Sequence, residues 1–206
     1  MSPLAAMRTS RDASPSKVTG RSLPVPEQPH ALVVALKKSG GALQSAGVPF
    51  LLGGGLACWA RGARETEHDV DLFIRPEDAE RAAEVLAAAG MRIERPPEGW
   101  LLKAFDDGVQ VDLIFRPSTG PVGDEMFARA EELEVVAMPM QVASVADVLV
   151  SKLLAINEQD PNFRDVLAIA RSLREQIDWE FVREHTSRSP FARAFVTLVE
   201  GLQLVA

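Results

Sequence analysis

The stretch Leu51-Leu52-Gly53-Gly54-Gly55-Leu56-Ala57-Cys58-Trp59-Ala60-Arg61-Gly62-Ala63-Arg64-Glu65-Thr66-Glu67-His68-Asp69-Val70-Asp71-Leu72-Phe73-Ile74 decides how this chain is read. An apolar run ends in three glycines, a short helical segment follows, and two aspartates then sit inside a second apolar run. Side chains alternate along a strand, so residues i and i+2 share a face, roughly 6–7 Å apart. Asp69, Asp71 and Phe73 therefore take one face, and Val70, Leu72 and Ile74 take the other, a natural core face. Two like charges on one strand face repel and are costly to bury bare. A divalent cation removes that conflict, and oxygen ligands of this kind suit Mg²⁺ or Mn²⁺.

A third carboxylate repeats the pattern. In Val109-Gln110-Val111-Asp112-Leu113-Ile114-Phe115, the alternation puts Gln110, Asp112 and Ile114 on one face. Asp107-Gly108 just before it is a tight-hairpin signature, with Trp100 to Phe105 as the partner strand. If the sheet sets the two aspartate strands side by side, Asp112 joins Asp69 and Asp71; otherwise it is an ordinary solvent-facing strand residue. Gly53-Gly54-Gly55 lets backbone approach a phosphate closely at a helix start. It is neither a Walker loop, since no GK[ST] follows, nor GxGxxG, since position 58 is Cys.

The order of apolar strand, Gly-Gly, short helix, Arg-x-Thr, Asp-x-Asp and a later strand aspartate resembles the nucleotidyltransferase superfamily of DNA polymerase β. Its small bacterial members, the AbiE-type toxin and stand-alone nucleotidyltransferases, are the most similar. The resemblance spans roughly residues 48–170. It implies an α/β (α+β) fold: a mixed sheet flanked by helices, followed by a C-terminal helical bundle. It implies that Gly53 and Gly54 cradle a triphosphate, that Asp69 and Asp71 bind Mg²⁺, and that Asp112 completes the site. The second glycine of the motif is often Ser in that family; here Gly54 offers no hydroxyl.

The segment Val145 to Asn157 reads as a helix whose apolar stripe, Val145, Val148, Leu149 and Ile156, carries Lys152 in its middle. Such a lysine either snorkels to water at an edge or points into the cleft at a phosphate. Lys152 and Asp165 resemble a lysine and aspartate that relatives carry after the catalytic sheet, which makes both candidate nucleotide contacts. Arg64 and Thr66 precede the Asp pair; Arg64 is either a phosphate ligand or a surface arginine. His68 reads as a loop or core-edge residue, and Cys58 and Trp59 as packing.

With 206 residues, there is room for a catalytic unit and a small helical one. The expected division is a disordered tail over 1–26, a catalytic domain over 27–142 and a helical domain over 143–206. Helices are expected over 29–39, 41–46, 76–89, 143–157, 162–175, 179–184 and 190–202. Strands are expected near 49–52, 69–74, 91–94, 100–105, 109–115 and 133–142, with a loop over 118–125. The net charge is −7, and residues 1–30 carry four basic and two acidic side chains, which leaves −9 on the rest. A body this acidic does not present a broad surface to duplex DNA. No apolar run reaches membrane length, and one cysteine fits a reducing cytoplasm.

Together these readings predict transfer of a nucleoside monophosphate from an NTP to an acceptor hydroxyl, with pyrophosphate released. The acceptor is open between a small molecule, a protein and an RNA end. Three alternatives stand beside it: a nucleotide-binding module without turnover, a toxin-type protein masked by an antitoxin-like partner, and an unrelated α/β domain with accidental spacing.

Overall fold

The computed structural model describes residues 27–64 and 69–205; the 1–26 tail, Thr66 and His68 lie outside them. The chain folds as a mixed α/β structure around one seven-stranded sheet. In chain order the elements are α1 (Glu27–Ser45), β1 (Leu51–Leu52), α2 (Gly54–Ala60), β2 (Val70–Phe73), α3 (Ala79–Ala88), β3 (Arg92–Glu94), β4 (Leu101–Asp106) and β5 (Val109–Ile114). There follow α4 (Asp124–Ala128), β6 (Glu131–Val135), β7 (Met138–Val142), α5 (Val145–Ala155), α6 (Arg164–Leu173), α7 (Trp179–Thr186) and α8 (Pro190–Gly201).

The spatial order is β3-β4-β5-β2-β1-β7-β6. β2 runs parallel to β5, and β1 runs parallel to β7 but antiparallel to β2. Helices α1 and α3 touch each other and lie against the central strands, while α2 packs on β2 and α5. Helix α5 is also the contact point for α6, α7 and α8. Leu72, Ile74 and Leu113 from the sheet, Leu36 and Leu43 from α1, and Leu149 and Leu153 from α5 are all buried without remainder.

Three local differences from the sequence expectations have physical causes. The two helices expected before and after Gly40 are one continuous helix. A Cβ at Gly40 would stand 3.0 Å from the Met140 methyl, so the glycine lets α1 lie close to β7 instead of ending the helix. The single strand expected over 133–142 is a hairpin, β6–β7, turned at Val136 and Ala137 with φ of 48° and 62°. Neither residue belongs to the types that usually announce such a turn. The loop over 118–125 runs into a short helix, α4, that begins at Asp124.

Candidate functional site

Register brings the carboxylates together. In the parallel pair β2–β5, Asp71 stands opposite Asp112, and neighbouring strands lie only about 4.8 Å apart. Asp69 precedes Asp71 by two residues on the same face. Each of the three offers an oxygen within 4.8 Å of the others. Asp112 is buried, whereas Asp69 and Asp71 are half-buried.

Their surroundings compensate them unevenly. Gln110, one strand step before Asp112, donates its Nε2 to both Asp112 oxygens at 2.9 and 3.1 Å and reaches Asp69 Oδ2 at 3.4 Å. Lys103 stands opposite Asp112 across the β4–β5 hairpin, with Nζ 3.4 Å from Oδ1. Among the described residues, no side chain hydrogen-bonds to the Asp71 carboxylate. Burial, reinforced by the negative charges of Asp69 and Asp112, pushes the Asp71 carboxyl up to about 7, against the opposing pull of Lys152 and Lys103. Burial also raises Asp112, with Lys103 acting in the opposite direction. Among the described residues, the cluster is therefore short of positive charge.

The glycine turn is built against it. Gly53 donates its N–H to the Asp71 carbonyl at 2.8 Å, which ties the turn to β2. Gly54 has φ of +54°, and a Cβ there would fall 1.7 Å from Asp71 Oδ2. Position 54 thus has no room for the serine common at this place in the resembling family. A Cβ at Gly53 would in turn press on the Phe73 ring at 2.6 Å.

Lys152 lies in the last turn of α5, and its stripe-mates Val145, Val148 and Leu149 are buried. It borders two cavities. One, of about 410 Å³, reaches Gly54 and Asp71 and is walled by Trp100, Ile114 and Arg116. The other, of about 230 Å³, contains Asp160, Asn162 and Asp165. Arg64 is exposed and borders neither of these cavities. Among the expected residues, the structure thus gathers Gly54, Asp69, Asp71, Asp112 and Lys152 with Asp165 across the second cavity, and leaves Arg64 apart.

Sequence reasoning passed over Lys103, Trp100 and Arg116. Lys103 was within reach: counting back from the Asp107–Gly108 turn places it opposite Asp112. The same count carries one pair further to Trp100 and Phe115, where the N–H groups of Phe115 and Arg116 both donate to the Trp100 carbonyl at 3.1 Å and bring Trp100 beside Arg116.

Comparison with known proteins finds a family and a shared fold. The sequence model of a family described as nucleotidyl transferases of unknown function, DUF2204, matches residues 33–195. No curated protein matches the chain in sequence. Among solved structures, the fold is similar to that of the antibiotic-resistance factor ANT(2'')-Ia in solution, with TM-score 0.56 and 16% identity over 83% of this chain and 94% of that one. The same protein in complex with adenylyl-2''-tobramycin gives TM-score 0.57 and 15% identity over 79% of this chain and 98% of that one. A nucleotidyltransferase-like antigenic protein from Paracoccidioides brasiliensis gives TM-score 0.50 and 16% identity, over 84% of this chain and 89% of that one.

Proposed function

This chain belongs to the DUF2204 family of nucleotidyl transferases, and from that premise we propose that it moves a nucleoside monophosphate from an NTP to an acceptor hydroxyl in a metal-assisted reaction. The observation that carries the reading is the Asp69–Asp71–Asp112 cluster, with oxygens within 4.8 Å of one another and, among the described residues, too few cations around them. The donor set is all oxygen, which fits Mg²⁺ or Mn²⁺ and not a softer metal. Asp69, Asp71 and Asp112 would hold the cation. When bound, it supplies charge neutralisation to the triphosphate and acidity to the acceptor hydroxyl.

The chain's own groups do the rest. The Gly53–Gly54 turn would let triphosphate oxygens approach the backbone beside Asp71. Lys152 would offset phosphate charge, with Asp165 on the nucleotide side and Arg64 and Thr66 as further nucleotide contacts. The acceptor oxygen bonds to the α-phosphorus, the bond to pyrophosphate breaks, and the hydroxyl proton passes to Asp112, which Gln110 holds in place. Catalysis of this type rests on positioning and charge. Residues 27–142 would form the catalytic unit and 143–206 the helical unit that closes the cleft over it. Among the described residues no helix is long and apolar enough to cross a membrane, and we read the protein as cytoplasmic.

A small-molecule acceptor is the class to test first, because ANT(2'')-Ia shares the fold and has been captured with an adenylylated small molecule. The test has two stages. Calorimetry with ATP, CTP, GTP and UTP, each with Mg²⁺ or with chelator, should give binding only with the cation. Incubation of the tightest NTP, labelled at its α-phosphate, with fractionated cell extract should then transfer label to a small-molecule fraction with release of pyrophosphate. Equal binding in chelator would remove the metal from the site. Binding without any transfer would leave a nucleotide-binding module.

A further inference from the structure

We infer that the acceptor is an anionic molecule with an aromatic body, held in the larger cavity between the Trp100 indole and the Arg116 guanidinium. The inference rests on the transferase reading above and adds the substrate class.

The cleft has two arms that meet at Lys152. In-line displacement at phosphorus requires the acceptor oxygen to approach opposite the leaving pyrophosphate. With the triphosphate between the Gly53–Gly54 turn and Lys152, where the arms meet, the nucleoside and the acceptor body extend from it into different arms. The smaller arm offers Asp160, Asn162 and Asp165, hydrogen-bonding groups suited to the polar edges of a nucleoside. The larger arm starts at Gly54 and Asp71 and runs outward past Ile114 and Val148 to Trp100 and Arg116. Its walls are mostly apolar, as in small-molecule sites with a few orienting polar groups.

Trp100 is 40% exposed, and it is the one aromatic residue among the large hydrophobic side chains that the described chain leaves exposed. A flat indole at a cavity wall is a stacking platform for another ring. Arg116 is exposed, and its neighbour Pro117 is buried. The double acceptance by the Trp100 carbonyl fixes the start of one side chain relative to the other. The charges in this arm are Arg116 and Lys152 on one side and Asp71 on the other. Asp71 belongs to the metal cluster, so the arm keeps no carboxylate for an acceptor ammonium. With Lys152 engaged by the nucleotide phosphate, a polycation still meets the like charge of Arg116 there, whereas a carboxylate or sulfonate meets a planar donor fork suited to it.

The probe is the aromatic sulfonate 1-anilinonaphthalene-8-sulfonate, followed by its fluorescence on the full chain with Mg²⁺ and a non-hydrolysable analogue of the tightest NTP. Arg116→Glu and Trp100→Ala should each weaken the probe at least tenfold, and Trp100→Phe should restore most of its binding. Both weakened variants should keep nucleotide affinity within about twofold and melting temperature within about two degrees, because both side chains are exposed. Kanamycin, a polycation with many hydroxyls, should not displace the probe at equal concentration. Probe binding indifferent to both substitutions overturns the assignment, as does displacement by kanamycin. Expulsion of the probe by the nucleotide would give this arm to the nucleoside. Failure of the transferase reading looks different: the nucleotide analogue then binds no variant, wild type included, or binds while no label passes from the α-phosphate to any acceptor, whatever the probe does.

Discussion

Two carboxylate centres of this fold behave in opposite ways. At one, Asp147 is 3% exposed yet fully matched. Arg129 grips it with two hydrogen bonds of 2.7 and 3.0 Å, and the Ser144 hydroxyl adds a third at 2.7 Å while capping the helix. At the other, Asp69, Asp71 and Asp112 crowd together with one amide and, among the described residues, only the Lys103 ammonium at 3.4 Å and the unbonded Lys152 ammonium to offset them. Buried charge is tolerated when paired and hydrogen-bonded and is costly otherwise. Asp147 spends its charge inside the fold. The triad leaves its charge unspent, and a protein retains such a deficit where something from solution is to make it good.

The largest effect should come from Asp71→Asn. It removes the carboxylate that faces the glycine turn, and loss of a preorganised group of this kind costs ~10³ in turnover. The same change removes a buried like charge, so the metal-free protein should melt higher than wild type. Initial rates and thermal melts of the same variant read both. A lower melting temperature would mean that Asp71 is satisfied in the way Asp147 is.

The pH dependence of stability should separate the two centres next. The Asp71 carboxyl stands at about 7 in the fold against an ordinary value of 3.8. Below about pH 4 it is protonated in both folded and unfolded chains, and no penalty arises. Between about 4 and 7 the fold keeps a proton that the unfolded chain has released, so stability falls as pH rises. The loss attributable to Asp71 is on the order of 4 kcal/mol, and it levels off above the folded value. Denaturant titrations of the metal-free protein from pH 4 to 8 should show this slope relative to Asp71→Asn, and saturating Mg²⁺ should flatten it.

Arg129→Ala should come third. It strands Asp147 without its ion pair, at a cost of about 3 kcal/mol, and turnover at a temperature where the variant is folded should stay within a few-fold of wild type. Chemical denaturation and initial rates check the two halves. A large loss of turnover in the folded variant would tie the structural centre to the reacting one through α5.

These two centres also differ in how much of them a sequence announces. Asp69 and Asp71 alternate with Val70 and Leu72, and Asp107–Gly108 marks the β4–β5 turn, so the strands and the face of each carboxylate are legible. Adjacency of Asp71 and Asp112 is not, because β2 and β5 are separated by α3 and two strands and only the sheet order joins them. Ser144 three residues before Asp147 is a readable cap, but the grip of Arg129 comes from the end of α4, which looks like loop in sequence. Glycine misleads in both directions. Gly40 sits within a helix because Met140 needs the space, while the β6–β7 turn is made at Val136 and Ala137 without one. Packing between distant segments settles these points, and local pattern carries no trace of it.

The smallest expected effect is the most discriminating, because Lys103 is the triad's incomplete counterpart of Arg129. Its Nζ lies 3.4 Å from Asp112 Oδ1, at the outer limit of a hydrogen bond, where Arg129 makes two short ones. In the metal-free protein this ammonium offsets part of the cluster's charge, so Lys103→Met should cost about 1 kcal/mol of stability. In the presence of a divalent cation the same ammonium is a neighbouring like charge. Its removal should therefore tighten Mg²⁺ or Mn²⁺ binding several-fold, even though the protein has become less stable. Mn²⁺ binding followed by electron paramagnetic resonance, beside a thermal melt, measures both in one preparation. Opposite signs for the two readouts would identify the triad as a site whose charge is reserved for a cation. A fall in both would make Lys103 a structural partner of Asp112, and the two carboxylate centres would then differ in degree rather than in kind.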